Sequence, residues 1–239
     1  MPGTDAIFDH LKEVHADAAQ TPETLRISLD AKATVPIGPF SRKGYSRVKT
    51  QACDHDFQPG LKLTPFGMLL PGLDELYFYM TPSKITADFI VDRLEQWWMD
   101  NRQRFPQVTT LLLNLDNGPE CHSRRTQFMH RLVEFTSKYQ LTIQLAYYPP
   151  YHSKYNPIER CWGVLENYWN GSLMDSVKAV LGFASAMTWK GKHPVVKLVE
   201  TVYETGVSLA QKAMEAVEAQ IRRLPQLPKW FVTISPPSH

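Results

Sequence analysis

A chain of 239 residues, 43% hydrophobic and 21% charged, is long enough to bury the core of a large α/β domain and is not disordered in composition. Its formal net charge of +2 does not by itself require a polyanionic partner, and no apolar run approaches the ~18 residues that span a bilayer. Three scattered cysteines, Cys53, Cys121 and Cys161, form no CxxC pair and argue against a disulfide framework or a structural zinc site.

The amphipathic start, MPGTDAIFDHLKEVHADAAQ, lacks a secretory apolar segment and predicts a helix over 5–19, with Ile7, Phe8, Leu11 and Val14 on one face. TLRISLDAKATV (24–35) alternates as a strand that carries Asp30 on its second face. IGPFSRKGYSR reads as a loop and KTQACDHDF as a short extended piece. FGMLLPG and ELYFYMT predict a hairpin turning at Pro71–Gly72, where Asp74 fits the turn. A helix is expected from Thr81–Pro82–Ser83 to about Asp100, with Trp97 and Trp98 in its core face. VTTLLLNLDNGPE then reads as a buried strand with an exposed carboxyl end. A helix over 123–139, a strand over 141–148 and a helix from Asn156–Pro157 to about Trp169 follow. Helices are further expected over 173–188, over 195–204, and from a Ser208–Gln211 capping box to about Arg223. A Pro-rich tail with one short strand ends the chain. This order predicts a mixed sheet with helices on both faces.

Sites in open α/β sheets gather at the carboxyl ends of strands. Asp116 ends one strand, Asp30 lies on its expected neighbour, and Glu159 opens the helix that follows. Three such carboxylates suit two Mg²⁺ or Mn²⁺ ions, which prefer oxygen ligands and activate a water or 3′-hydroxyl for in-line displacement. Each has a plainer reading. Asp30 could face solvent, Asp116 could serve the Asp-Asn-Gly turn, and Glu159, third residue after Asn156, could complete a capping box. Asp54 and Asp56 rival Asp30, His55 between them looks like a weak metal motif, and Glu166 is the alternative third ligand. From His122 to Trp162 six Lys or Arg, among them Arg124, Arg125, Lys154 and Arg160, stand against two Glu. Tyr147, Tyr148, Tyr151 and Tyr155 interleave with His152, Lys154 and Arg160, a mixture that stacks on bases and neutralises phosphate. Packing in the core is the plainer reading for some of these tyrosines. The tryptophans read as core.

In sum, Asp30-Ala-Lys32, His55-Asp56-Phe57, Pro65-Phe66-Gly67, Trp97-Trp98, Asp116-Asn117-Gly118 and the block from Pro149-Pro150 to Glu159 resemble, in that order, the DDE transposases of bacterial insertion sequences, the ISAzo group of the mariner-like superfamily. Weaker likeness runs through Asn170-Gly171, Tyr203 to Gly206 and Trp230 to Pro236. The resemblance implies a ribonuclease H-like α/β fold: a mixed five-stranded sheet flanked by helices, with extra C-terminal helices. It implies a metal triad of Asp30, Asp116 and Glu159, in preference to Asp54 or Asp56, that holds two Mg²⁺ or Mn²⁺ ions. It implies cleavage and transfer of DNA strands at transposon ends without a covalent enzyme intermediate. Lys154, Arg160, His152, Arg124 and Arg125 are then the expected DNA contacts, with Asn117 and Asn156 behind the ligands. Expected partners are transposon-end and target DNA and further copies of the chain on that DNA. A separate end-recognition domain is also expected, since the helix-turn-helix region of such proteins has no counterpart before Asp30. A cytoplasmic, nucleoid-associated protein is expected, with no membrane contact. The expected division is a helical lead-in (1–22), a catalytic domain (23–190) and a C-terminal extension (191–239). A metal nuclease that does not join strands, and a non-catalytic transposase-derived nucleic-acid-binding protein, are the competing readings.

Overall fold

A computed structural model describes residues 3–38 and 60–237. The expectations for Cys53, Asp54, His55 and Asp56, and for most of the loop before them, lie outside the described residues.

The first helix, α1 (Thr4–Gln20), buries Ile7 and Leu11, one turn apart. Strand β1 (Thr24–Ala31) pairs parallel with β5 (Thr110–Leu115) and antiparallel with β3 (Leu61–Leu70), which makes it central. β3 also takes the short β2 (Val35–Ile37) and forms the expected hairpin with β4 (Glu75–Thr81), where Asp74 adopts a left-handed φ of 54° in the turn. β6 (Thr142–Tyr147) lies parallel to β5. These are the five strands of the expected mixed sheet.

Among the described residues four more strands are present: β2, β7 (Val195–Leu198), β8 (Ile221–Arg223) and β9 (Phe231–Ile234), the last being the short strand expected in the Pro-rich tail. The nine-stranded sheet runs β7-β4-β3-β1-β5-β6-β9-β8, with β2 beside β3. Two corrections to the expected elements fall in the C-terminal segment. Residues 195–204, expected as a helix, instead supply β7, parallel to β4 at the sheet edge. Val195 and Val196 are β-branched and sit beside the edge of β4, where such residues extend the sheet. The last helix, α6 (Gln211–Glu218), is short, begins after Ala210 without a side-chain cap, and is followed by β8. Ser208 therefore does not cap it.

Alternation along the strands splits the core. Ile27, Leu29, Phe66, Met68, Leu111 and Leu113 pack under α2 (Ala87–Asn101) and α3 (Thr126–Tyr139). Leu69, Phe78 and Met80 point the other way, under α4 (Pro157–Trp169) and α5 (Val177–Ala186), and α1 covers Leu112 and Ala146 on that face. Helix α2 starts at Ala87, not at Ser83, because the Thr86 hydroxyl accepts the Phe89 amide at 3.2 Å, while Thr81 Oγ1 accepts the Ser83 amide in the preceding bend.

Candidate active site

The same alternation sets Arg26, Ser28 and Asp30 on the face that carries α1 and α4. Parallel register places Ser28 opposite Asn114, and two residues further on Asp116 leaves the end of β5 beside Asp30. Asp30 and Asp116 line one cavity of about 250 Å³, together with Phe66, Gly118, Glu120 and Cys121. Asp116 Oδ1 lies 3.6 Å from the buried Cys121 thiol. Burial, reinforced by the Asp116 charge, pushes that thiol well up and keeps it a donor. A Cβ at Gly118 would stand 3.2 Å from Asp116 Oδ1 and crowd the carboxylate. Glu120 accepts from the Ala87 amide at the start of α2 and from Arg125 at 3.1 Å.

Glu159 enters from α4. Pro157 is its first residue and Glu159 its third, as expected. The capping box does not form. The Asn156 amide already donates to Ser153 O at 2.6 Å, and the Glu159 carboxylate bonds to no described residue. The Asn156 side chain does not cap the helix either, but reaches across to β1. It accepts from Ser28 Oγ at 2.5 Å and donates to Leu29 O at 3.1 Å.

The other two acids act on Asp30 through their charge. Burial pushes its carboxyl up to about 7; the Trp162 indole opposes this, and the charges of Asp116 and Glu159 add to the rise. Glu159 does not line the Asp30–Asp116 cavity. Among the described residues no three His, Cys, Asp or Glu side chains are drawn together as a metal-binding group. The side chains nonetheless fit a hard divalent cation in kind: all the oxygens on offer are carboxylate oxygens, and their mutual repulsion is what such a cation would relieve. Glu166, the alternative ligand, is engaged elsewhere, with Lys32 Nζ at 2.7 Å and Trp169 Nε1 at 2.8 Å.

The basic residues divide. Arg124, Lys154 and Arg160 are exposed, whereas Arg125 is held by Glu120. His152 hydrogen-bonds Pro150 O and stacks on Tyr155, and Lys154 lies over the same ring. Tyr147 and Tyr148 are buried core residues, while Tyr155 is half exposed and Tyr151, at φ 64°, is 92% exposed. Asn117 is exposed beside Asp116.

Two residues of the site escape sequence reading. Trp162, expected only in the core, donates its indole N–H to Asp30 Oδ2 at 2.8 Å. The buried Ser28 hydroxyl receives the Ile158 amide at 3.1 Å. Signals for both exist: Trp162 lies three residues after Glu159 on one helix face, and Ser28 two before Asp30 on one strand face.

A mixed sheet flanked by helices, with Asp30 and Asp116 at the ends of neighbouring β1 and β5 and Glu159 on the helix after β6, has a ribonuclease H-like fold. The chain belongs to the Rhodopirellula transposase DDE domain family, whose model matches residues 1–236. It is similar in fold to the chain in the crystal structure of the Mos1 mariner paired end complex with Mn (12% identity, TM-score 0.51, 75% of this chain and 53% of that one). The Mos1 transposase paired-end complex with left transposon end gives 13% identity and a TM-score of 0.48 over 73% and 50% of the two chains. The chain thus spans about half the length of these Mos1 chains. No curated protein matches the sequence. Among the described residues no helix is long and apolar enough to cross a membrane.

Proposed function

We propose that this chain is the catalytic domain of a transposase that cuts and joins DNA strands at transposon ends, with Asp30, Asp116 and Glu159 as ligands for two Mg²⁺ or Mn²⁺ ions. The observation that supports the proposal is that Asp30 and Asp116 line one cavity at the ends of neighbouring strands, with the charge of Glu159 acting on Asp30. When bound, the ions supply a nucleophile at neutral pH and stabilise the leaving oxygen. Asp30 and Asp116 present oxygen donors from the rigid ends of two central strands, and Glu159 completes the set from α4. Lys154 and Arg160, with Arg124, take the phosphates on either side. His152 and the aromatic rings around it pack against the sugars or bases. Asn117 and Asn156 position the ligands.

In the first step water attacks the scissile phosphorus and the P–O3′ bond breaks, leaving a 3′-hydroxyl and a 5′-phosphate. In the second that 3′-hydroxyl attacks a target phosphodiester and expels the target's own 3′-oxygen. No enzyme side chain becomes bonded to phosphorus. Support for DNA as partner and for action as an assembly comes from the Mos1 mariner chain of the paired end complex with Mn.

The test is incubation with Mn²⁺, labelled duplex from the ends of the element that encodes this chain, and a target plasmid. Labelled plasmid is expected with the native protein and not with Asp30→Asn, Asp116→Asn or Glu159→Gln. Persistent hydrolysis with no joined product would overturn strand transfer and leave a nuclease.

A further inference from the structure

The register across three strands builds a seat for one indole. Asp30 on β1 pairs with Gly67 on β3, and Gly67 pairs with Phe78 on β4, so the three lie in one row across the sheet. Trp162 lies along that row. Its ring stacks on Phe78 with centroids 5.0 Å apart and planes at 16°. Its benzo edge passes over Gly67, where a Cβ would come within 2.7 Å of the ring and 2.9 Å of Ile158 Cδ1. Its N–H ends on Asp30 Oδ2 at 2.8 Å. Only a residue without a side chain at 67 leaves room for this path.

The seat is part of a longer fastening. Asn156 bonds to Ser28 and Leu29, the Ile158 amide bonds to Ser28, and Trp162 bonds to Asp30. The helix that carries Glu159 is therefore pinned to β1 on either side of that residue. The last pin differs from the others, because its acceptor is a carboxylate of the proposed triad. We infer that Trp162 is a positioning residue, which holds Asp30 through Oδ2 so that Oδ1 faces the Asp116 side of the cavity, and which fixes Glu159 against Asp30 through α4. A hydrogen bond to a charged acceptor, made by a ring that cannot turn, removes the carboxylate's rotational freedom before any ligand arrives. This inference rests on the triad reading given above.

The experiment is Mn²⁺ titration of the full chain, followed by electron paramagnetic resonance, with thermal unfolding in parallel. Trp162→Phe keeps the stacked ring and deletes only the N–H. It is expected to weaken Mn²⁺ binding roughly tenfold, in line with loss of one charge-assisted hydrogen bond, while the unfolding midpoint shifts by only a few degrees. Gly67→Ala keeps the N–H but displaces the ring, and is expected to show the same loss of Mn²⁺ affinity. Native affinity in Trp162→Phe would overturn the inference, since a purely structural indole would change stability and leave the metal alone. Asp30→Ala separates the two levels. If it abolishes binding and Trp162→Phe does not weaken it, the positioning role alone falls. If Asp30→Ala binds Mn²⁺ like the native chain, the triad reading falls and the positioning role with it.

Discussion

The hydroxyl of Ser28 is fully buried and has two partners, Asn156 and the Ile158 amide. Ser28→Ala would strand both in the core, and buried groups without partners are costly. A loss of about 2–3 kcal/mol is expected in urea unfolding, with most of it recovered if Asn156 is also replaced by an apolar residue of similar size. His15 gives a pH signature. Asn114 Oδ1 accepts from Arg26 Nε at 2.6 Å, so its amide nitrogen faces His15 Nε2 at 3.0 Å, and the ring must accept there. Burial, with the Arg26 charge adding to it, lowers His15 from 6.5 to about 4. Between those values the unfolded chain binds a proton that the folded chain refuses. Stability is therefore full above about pH 6.5, falls towards pH 4 and levels off below. With allowance for partial exposure the drop is about 1–2 kcal/mol, and it should vanish in His15→Gln when unfolding is followed across that range.

At the scale of elements, the segment from Pro149 to Trp169 was the most legible. Asn-Pro predicted the start of α4, Pro-Pro the end of β6, and Glu159 its place in the first turn. What the residues could not show is which partner each side chain takes. Asn156 satisfies every local rule for a cap, yet the buried Ser28 hydroxyl across the sheet outcompetes the amides of its own helix. Residues 195–198 misled in the opposite sense, because local spacing carries no information about the free edge of β4 that they extend. The exposed cations of the 149–160 segment permit a direct check. Lys154→Ala and Arg160→Ala are each expected to lower affinity for duplex DNA and to reduce the slope of log K against log salt by about 1. Arg125→Ala, because its partner is Glu120, is expected to leave that slope unchanged.

For the whole molecule, the five central strands and the helices on both faces could be read from chain order; β7 and β8 could not, and the tail strand could be read but not its place in the sheet. β9 pairs antiparallel with β6 from nearly the far end of the chain, a long-range choice that local pattern does not encode. The row from Asp30 through Gly67 to Phe78 is of the same kind: each residue looks ordinary alone, and only register joins them under Trp162. The central claim is likewise one of convergence, that Asp30, Asp116 and Glu159 serve one divalent-metal site. Anomalous diffraction from a crystal soaked in Mn²⁺ tests it most directly. Manganese peaks within about 2.0–2.4 Å of Asp30 and Asp116 oxygens, with Glu159 turned towards them, are the expected result. Manganese bound elsewhere, or none at saturating concentration with all three carboxylates ordered, would contradict it.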